Sequence, residues 1–278
     1  MKDYSDPPLD LLEKSAVTAA RTAGAVLLER LSSARQIQFK GEINLVTDAD
    51  RLSEETIVSI LRSHFPDHRI LAEEGSTGGG SERYRWIIDP LDGTTNYAHG
   101  YPHFAVSIGL EREGEMLLGV VHDPVLDELF VARLGEGATL NGRPLSVSSV
   151  DTLLRALVCT GFPYDRSRFP AILRRWDYFV REAQGMRRDG SAALDICYVA
   201  CGRFDAFYED GLYPWDMAAA TLVVREAGGR VTGFDGREVD ISAGDLVATN
   251  GPLHEAMLEG LRKSSLEEQL PLRQSESC

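Results

Sequence analysis

The sequence is poor in cysteine and in positive charge, and it has no long apolar run. Its 278 residues include four cysteines, Cys159, Cys197, Cys201 and Cys278. Their spacing is not that of a zinc knuckle or of a disulfide-bonded small domain, so we expect reduced thiols. The sequence contains no run of about 18 apolar residues, so it predicts no membrane span. The opening MKDYSDPPLD has no apolar signal region. We therefore expect a cytoplasmic protein with no membrane partner.

Positive charge is scarce relative to negative charge. The chain carries 29 Lys and Arg residues against 43 Asp and Glu residues, which gives a formal net charge of -14. Such a charge opposes binding to nucleic acid, whose phosphates require a basic surface. A phosphorylated substrate would likewise need metal cations to screen the field. The charge balance thus predicts no nucleic-acid partner, and it makes any phosphate chemistry dependent on bound metal.

The apolar pattern predicts an α/β (α+β) fold. Apolar residues at helical spacing open the chain between residues 8 and 32, and a second helix begins near Asp48. Short apolar segments at 69–72 and 84–89, followed by alternating segments between residues 104 and 132, indicate a largely antiparallel sheet, with a tight hairpin at Asn141-Gly142.

A change of pattern near residue 150 divides the chain. From Leu153 to Thr160 onwards, strands alternate with helices, which is typical of a second α/β layer. Length alone fits either one large unit or two closely packed halves. The expected parts are an N-terminal half at 1–149, a C-terminal α/β half at 150–263, and a polar tail at 264–278 whose composition is compatible with disorder.

One segment concentrates the chemistry, and it reads WIIDPLDGTTN from Trp86 to Asn96. An apolar strand delivers Asp89 at its end, a proline interrupts the strand, and Asp92 follows on a turn that a glycine tightens. Two carboxylates are ligands that Mg²⁺ prefers. The next backbone N–H groups begin a helix and can hold a phosphate oxygen. Taken alone, the segment is also compatible with a simple Asp-Gly turn and a capped helix.

Three further segments carry acids at the ends of apolar elements. Glu73 and Glu74 follow one apolar strand, Asp216 opens an alanine-rich helix, and Asp48 and Asp50 open another helix. Each has an ordinary explanation by itself, a solvated loop for the glutamates and helix capping for the aspartates. The inference therefore depends on the whole set and not on any single member.

Together, the four segments resemble the inositol monophosphatase family of metal-dependent, lithium-sensitive sugar phosphatases. The likeness extends from about Leu11 to Leu261, and its core is the stretch Asp89 to Asn96 with Trp215-Asp216. The resemblance implies a layered αβαβα sandwich that is frequently dimeric, so we expect a homodimer. It also implies a phosphoric monoester hydrolase, inositol-1-monophosphatase-like, with two or three Mg²⁺ ions per active site.

The resemblance also implies roles for individual residues. The metal ligands would be Glu73, Asp89, the carbonyl of Leu91, Asp92 and Asp216. The catalytic residues would be Asp50, Thr94, Glu73 and Asp92, with Asp50 and Thr94 activating the attacking water. The substrate contacts would be Asp92, Gly93, Thr94, Thr95, Gly190, Ser191, Ala192 and Glu209. Lys40 resembles a mobile-loop lysine near the metals, although the intervening spacing is one residue shorter than in the family.

These roles predict hydrolysis of an inositol monophosphate, or of a similar small polyol or sugar phosphate, by in-line attack of a metal-bound water. Relatives on the same scaffold accept fructose 1,6-bisphosphate, histidinol phosphate or 3′-phosphoadenosine nucleotides. Glu209 and the absence of a strongly basic substrate segment favour the monophosphate.

Two other classes remain as alternatives. A zinc hydrolase would use His99 and His103, but neither lies on an obvious helix with an adjacent base glutamate, so loop or packing roles are favoured. A catalytically silent regulatory binding protein is the second alternative, and retention of Thr94 and of every matching acid opposes it.

Overall fold

The computed structural model describes residues 6–31, 37–39, 45–75, 78, 80–163 and 165–266. Lys40 and residues 267–278 lie outside this part, so the predictions for them have no structural counterpart here. The helices are α1 (Leu9–Leu31), α2 (Asp48–His64), α3 (Thr94–His99), α4 (Phe169–Glu182), α5 (Ala192–Ala200), α6 (Pro214–Glu226) and α7 (His254–Leu266).

Fourteen strands complete the described part of the fold. The strands of the N-terminal half are β1 (Ile37–Phe39), β2 (Leu45–Thr47), β3 (His68–Ala72), β4 (Ser81–Asp92), β5 (Ala105–Arg112), β6 (Glu115–Asp123), β7 (Glu128–Arg133), β8 (Gly137–Leu140) and β9 (Arg143–Pro144). The remaining strands are β10 (Leu157–Thr160), β11 (Gly185–Arg187), β12 (Ala206–Asp210), β13 (Arg230–Thr232) and β14 (Asp245–Thr249).

The elements stack in five layers. Helices α1 and α2 pack on one face of a seven-stranded sheet with the order β3-β4-β5-β6-β7-β8-β9. Helices α5 and α6 lie between that sheet and a five-stranded sheet with the order β11-β10-β12-β14-β13. Helices α4 and α7 pack on the far side of the second sheet. Apolar cores fill each interface between layers, and the predicted αβαβα sandwich is confirmed.

Strand directions match the sequence patterns. In the larger sheet β3 runs parallel to β4, and every other neighbouring pair is antiparallel, as predicted. The hairpin between β8 and β9 turns at Asn141-Gly142, where both residues have positive φ, 50° and 76°. A type I′ turn requires this conformation at both positions, and Asn-Gly is the pair that adopts it most readily.

Small residues allow α6 to approach the larger sheet closely. A Cβ atom on Gly109 of β5 would lie 3.1 Å from the Cβ of Ala218, and one on Gly119 of β6 would collide with the backbone of Ala219. The alanine run of α6 is therefore a packing surface, as its composition suggested. This close contact fixes the start of α6, and with it Asp216, near the end of β4.

Some boundaries differ from the sequence predictions. Leu153–Arg155 forms a 3₁₀ turn, so the strand predicted over Leu153 to Thr160 begins only at Leu157. The turn is closed by the Ala156 N–H, which donates to the Leu153 carbonyl at 2.9 Å. Helix α7 runs to Leu266, so residues 264–266, predicted as tail, are helical. Strands β1, β2 and β13 were not predicted, because three-residue strands are too short to show a period.

Two expectations from composition can be compared with the described residues. Cys159, Cys197 and Cys201 are free thiols, with Cys159 and Cys197 buried. None of the described helices is both long enough and apolar enough to span a membrane.

Candidate active site

A bulge at the end of β4 brings two carboxylates to one side of the sheet. Asp89 pairs with Ser107 of β5, whereas Asp92 pairs with Ala105, so three steps on β4 match two on β5. In a regular strand, residues three apart point to opposite faces, and one extra residue cancels this alternation. Pro90, which has no N–H to donate, lies inside the bulge. Asp89 and Asp92 can therefore face the same pocket.

A third carboxylate reaches the same point from the middle helix layer. Asp216 lies in the first turn of α6, where its Oδ2 accepts a hydrogen bond from the Tyr213 N–H at 2.7 Å. Carboxylate oxygens of Asp89, Asp92 and Asp216 all lie within 4.8 Å of one another. Three of the predicted metal ligands thus form one cluster, although more than a hundred residues separate Asp216 from the other two.

The cluster is electrostatically unfavourable when no cation is bound. Burial raises the pKa of Asp89 well above its usual value, and the nearby charges of Glu73, Asp92 and Asp216 raise it further. Burial also raises the pKa of Asp216, followed in importance by the charge of Asp92. Like charges in a buried site cannot all ionise without compensation. A divalent cation would supply that compensation.

Glu73 and Leu91 also line the pocket, beside the three aspartates. Glu73 follows β3, and its N–H donates to the Ile88 carbonyl on β4 at 3.2 Å, which holds it beside Asp89. Glu73 lines the pocket, whereas the N–H of the next residue, Glu74, donates to Glu54 on α2 at 2.8 Å. Of the two glutamates considered from the sequence, Glu73 is therefore the one that faces the site.

Thr94 and Asp50 form a hydrogen-bonded pair behind the acids. Asp50 lies in the first turn of α2 and is fully buried. The Thr94 hydroxyl lies 3.2 Å from Asp50 Oδ1 and 3.1 Å from the Leu91 carbonyl, and it can donate to either. Thr94 lines the pocket and Asp50 does not. Gly93 lies between Asp92 and Thr94 and has φ 93°, a backbone conformation that favours glycine.

Asp92 has a second role as the cap of α5. The Ser191 hydroxyl donates to Asp92 Oδ2 at 2.5 Å, and the N–H groups of Ala192 and Ala193 donate to the same carboxylate at 3.2 and 2.8 Å. Burial raises the pKa of Asp92 to about 6, although the bonds from Ser191 and Ala193 act in the opposite direction. The predicted substrate loop is therefore attached directly to a predicted metal ligand.

Glu209 closes the opposite wall. It lies near the end of β12 and is buried. Burial raises its pKa well above the usual value, and the charge of Asp216 adds to this effect. A Cβ atom on Gly161, just after β10, would overlap the Glu209 carboxylate, so the glycine provides the space that this side chain occupies. The two residues face each other across the ends of adjacent strands.

The pocket gathers most of the residues predicted from the sequence. Those that line it are Glu73, Asp89, Leu91, Asp92, Gly93, Thr94, Gly190, Ser191, Ala192, Glu209 and Asp216. Thr95 is half-buried and is not among the lining residues. The volume, about 740 Å³ including the open mouth, is that of a small-molecule site.

Other lining residues were missed or left open by sequence reasoning. They are Gly161, Phe162, Pro163, Arg188, Asp195, Gly211, Leu212, Tyr213 and Trp215. Arg188 follows β11, and its guanidinium lies 5.7 Å from the centre of the Phe162 ring. Gly161 at a strand end was the one available signal, because a glycine there often marks a close approach.

His103 pairs with Asp195 of α5. Its Nε2 lies 3.2 Å from Asp195 Oδ1, and both side chains are buried. Burial alone would lower the pKa of His103, but the hydrogen bond and charge of Asp195 outweigh it, so the pKa is raised. His99 is exposed on α3. His103, Asp189 and Asp195 each place one possible ligand atom within 4.8 Å of the others, so the expectation of a loop or packing role for His103 stays a prediction.

Comparison with known proteins identifies relatives of the whole chain. The family model described as Inositol monophosphatase family matches residues 9–268. The Inositol-1-monophosphatase of Synechocystis sp. is 44% identical over 265 residues, which cover 93% of this chain and 91% of that protein. The Nus factor SuhB of Pseudomonas aeruginosa is 45% identical over 253 residues, 87% of this chain and 93% of that protein.

Solved structures give the same result. The extragenic suppressor protein suhB from Bartonella henselae superposes with a TM-score of 0.87 at 39% identity, covering 91% of this chain and 99% of that one. Inositol monophosphatase from Anabaena (Nostoc) superposes with a TM-score of 0.84 at 44% identity, covering 92% of this chain and 96% of that one.

Proposed function

The chain belongs to the inositol monophosphatase family of phosphoric monoester hydrolases, and we propose that it hydrolyses a small polyol or sugar monophosphate, such as an inositol monophosphate, with bound Mg²⁺. The observation that carries this proposal is the acid cluster, in which oxygens of Asp89, Asp92 and Asp216 lie within 4.8 Å of one another in an open pocket. An anionic substrate can enter such a pocket only when cations offset the carboxylates.

The donor set fits magnesium. Mg²⁺ prefers hard oxygen ligands and keeps part of its water shell, so a few carboxylates with room for solvent and phosphate suit it. Besides the three clustered aspartates, Glu73 and the Leu91 carbonyl offer oxygens in the same pocket. Two or three ions would share these ligands. When bound, Mg²⁺ would lower the pKa of a coordinated water and offset the charge of the phosphoryl group.

Thr94 and Asp50 provide a path for the proton of the attacking water. The Thr94 hydroxyl can take that proton on Oγ1 if its own hydrogen is donated to Asp50 Oδ1, 3.2 Å away. Asp50 is fully buried, so it would hold the proton away from bulk solvent. The water would then attack phosphorus in line with the leaving oxygen. The backbone N–H groups of Gly93 and Thr95 would hold the phosphate oxygens.

The hydroxyl-bearing part of the substrate would lie against the second wall. Gly190, Ser191 and Ala192 form one side of that wall, and the Glu209 carboxylate forms the other. A carboxylate accepts hydrogen bonds from hydroxyl groups, which suits a polyol. Among the described residues that line the pocket, Arg188 is the one cation. A single cation favours a monophosphate over fructose 1,6-bisphosphate or a 3′-phosphoadenosine nucleotide, and histidinol phosphate is the remaining alternative on this scaffold.

A regulatory protein without catalysis is the alternative from another class. The relatives named Nus factor SuhB carry a name that states no hydrolysis, so this alternative needs a direct test. The acid cluster and the Thr94–Asp50 pair oppose it, because a binding protein has no need of them. A homodimer, a cytoplasmic location and the absence of nucleic-acid and membrane partners remain predictions from the sequence.

Phosphate release from a panel of esters tests the proposal. The panel contains inositol, sugar, histidinol and nucleotide phosphates, each assayed with Mg²⁺ and with a chelator. We expect release that requires Mg²⁺ and that is fastest with a polyol or sugar monophosphate. Release without metal would contradict the metal dependence, and no release from any ester would favour the regulatory alternative.

A further inference from the structure

Asn96 ends the phosphate-binding motif, and the proposed function gives it no task. It lies in the first turn of α3 and is nine-tenths buried. Its Nδ2 donates two hydrogen bonds of 2.8 Å, one to the His103 carbonyl and one to the Asp189 carbonyl. A side-chain amide has two N–H donors, so both are used here. One side chain thus connects segments that are 7 and 93 residues away in the sequence.

The connected segments approach each other closely at two glycines, Gly93 and Gly190. A Cβ atom on Gly93 would lie 3.0 Å from the His103 carbonyl oxygen and 3.3 Å from the Gly190 carbonyl oxygen. A Cβ atom on Gly190 would lie 3.1 Å from Asn96 Nδ2. The phosphate turn and the loop of residues 189–191 are therefore in direct backbone contact. Asn96 supplies the hydrogen bonds at this close approach, and the Arg188 guanidinium also lies beside Gly190.

The loop of residues 189–191 is held at both ends. Asn96 binds the Asp189 carbonyl at one end, and at the other end the Ser191 hydroxyl donates to Asp92 at 2.5 Å. Gly190, between them, has φ 93° and cannot stiffen the loop by itself. Loss of the Asn96 bond would free the first end and leave the second in place.

We propose that Asn96 is a positioning residue that fixes the distance between the phosphate turn and the polyol-facing wall formed by Gly190, Ser191 and Ala192. This inference rests on the proposed function. A polyol phosphate must touch both walls at once, so its binding depends on that distance. An aryl phosphate without hydroxyl groups uses the phosphate end alone. Asn96 therefore determines specificity for the alcohol part of the ester.

The test compares Asn96→Asp with a matched control. Aspartate keeps the size of the side chain but replaces both N–H donors by an acceptor, which repels the two carbonyls. Asn250→Asp is the control, because Asn250 is also buried and its Nδ2 also donates twice, to Ser148 Oγ at 2.9 Å and to the Val150 carbonyl at 2.7 Å. Asn250 is not among the residues that line the pocket. Asn96→Ala, which removes the donors without adding repulsion, is the second variant.

Steady-state kinetics with saturating Mg²⁺ are measured on an inositol monophosphate and on phenyl phosphate. For Asn96→Asp we expect the ratio of the two kcat/KM values to fall about tenfold, mainly through a higher KM for the inositol ester, a factor that corresponds to about 1.4 kcal/mol. Asn96→Ala should change the ratio in the same direction. Asn250→Asp should lower thermal stability and leave the ratio within about twofold of wild type.

Hydrogen exchange gives a readout that does not depend on turnover. In the metal-free protein, backbone amides of residues 189–191 should exchange faster in both Asn96 variants than in wild type or Asn250→Asp. An active wild type with unchanged ratios and unchanged exchange in the Asn96 variants would overturn the role of Asn96 alone. A wild type that hydrolyses neither ester would overturn the proposed function, and the specificity role of Asn96 would fall with it.

Discussion

Asp89 and Asp92 lie on the same strand and face the same pocket, yet their surroundings are opposite. Asp89 accepts the Leu91 N–H at 3.0 Å, and the charges that act on it are those of Glu73, Asp92 and Asp216. Asp92 accepts three hydrogen bonds from the start of α5. Asp89 is surrounded mainly by other carboxylates, whereas the carboxylate of Asp92 is surrounded by hydrogen-bond donors.

This difference separates two uses of a buried acid. A buried carboxylate that is surrounded by other carboxylates destabilises the fold until a cation binds, as expected of a metal ligand. A carboxylate that caps a helix stabilises the fold whether or not metal is present. Asp92 combines both uses, so it would couple the proposed metal site to α5 and to the proposed substrate loop. We therefore expect the substitution of Asp by Asn to have different effects at positions 89 and 92.

The largest effect is expected on catalysis. Asp89→Asn and Asp216→Asn each remove the charge of a proposed metal ligand, and we expect Mg²⁺-dependent turnover of the best ester to fall by about 10³-fold. Asp177→Asn is the matched control, because Asp177 is an exposed acid on α4 that pairs with Arg181 at 2.8 Å. Its turnover should equal that of wild type. Wild-type turnover in either pocket variant would show that the residue is not a ligand.

The next effect concerns stability and distinguishes the two acids directly. Urea unfolding is measured on metal-free protein at about pH 8. Asp92→Asn also removes a buried charge, one whose pKa is raised to about 6. The amide, however, keeps only one oxygen to accept the three hydrogen bonds from the start of α5, and we expect this loss to outweigh the relief, so that the free energy of unfolding falls by about 2 kcal/mol.

Asp89→Asn should instead raise the free energy of unfolding by about 1 kcal/mol, because a neutral amide removes charge repulsion. The sign follows from the pKa of Asp89, which is raised by burial and by neighbouring acids. A group with a raised pKa stabilises the fold at low pH and loses that contribution as pH rises through the folded pKa. Equal destabilisation by Asp89→Asn and Asp92→Asn would remove the distinction between the two acids.

The smallest effect extends the comparison to a buried base. His254 is fully buried between Thr232 and Thr249, and burial lowers its pKa from 6.5 to about 4. The contribution of neutral His254 is therefore complete above about pH 6.5 and is lost as pH falls towards 4, the reverse of the pocket acids.

His254→Gln removes this titration while keeping a polar side chain. The difference in unfolding free energy between wild type and His254→Gln should shrink by about 1 kcal/mol from pH 7.5 to about pH 5. Urea unfolding of metal-free protein at the two pH values measures it. If the difference in unfolding free energy between wild type and His254→Gln does not change with pH, His254 is not the group whose protonation destabilises the fold at low pH.

Much of the site was predictable because its residues mark the ends of elements. Asp89 follows the apolar run of β4, Asp216 lies in the first turn of a helix, and Asn141-Gly142 has the composition of a tight hairpin. These signals depend on local rules of strand breaking, helix capping and positive φ. The family resemblance then connected acids that no local rule connects.

Other features depend on contacts between distant residues. Asp92 caps α5 by accepting hydrogen bonds from Ser191 and Ala193, which lie about 100 positions away in the sequence. The His103–Asp195 pair and the position of Arg188 at the pocket mouth gave no local signal. Short strands such as β13 also escape, because pairing and not period defines them.

The sequence by itself determined the order of the helices and of the longer strands, the excess of negative charge and the residues able to bind a metal, because these follow from local period and side-chain chemistry. Only the tertiary structure decided which acids repel one another and which are held by donors. The bulge in β4 and the close approach of α6 place these acids beside their neighbours. The energy of a buried carboxylate depends on such neighbours, which the fold brings from other parts of the chain.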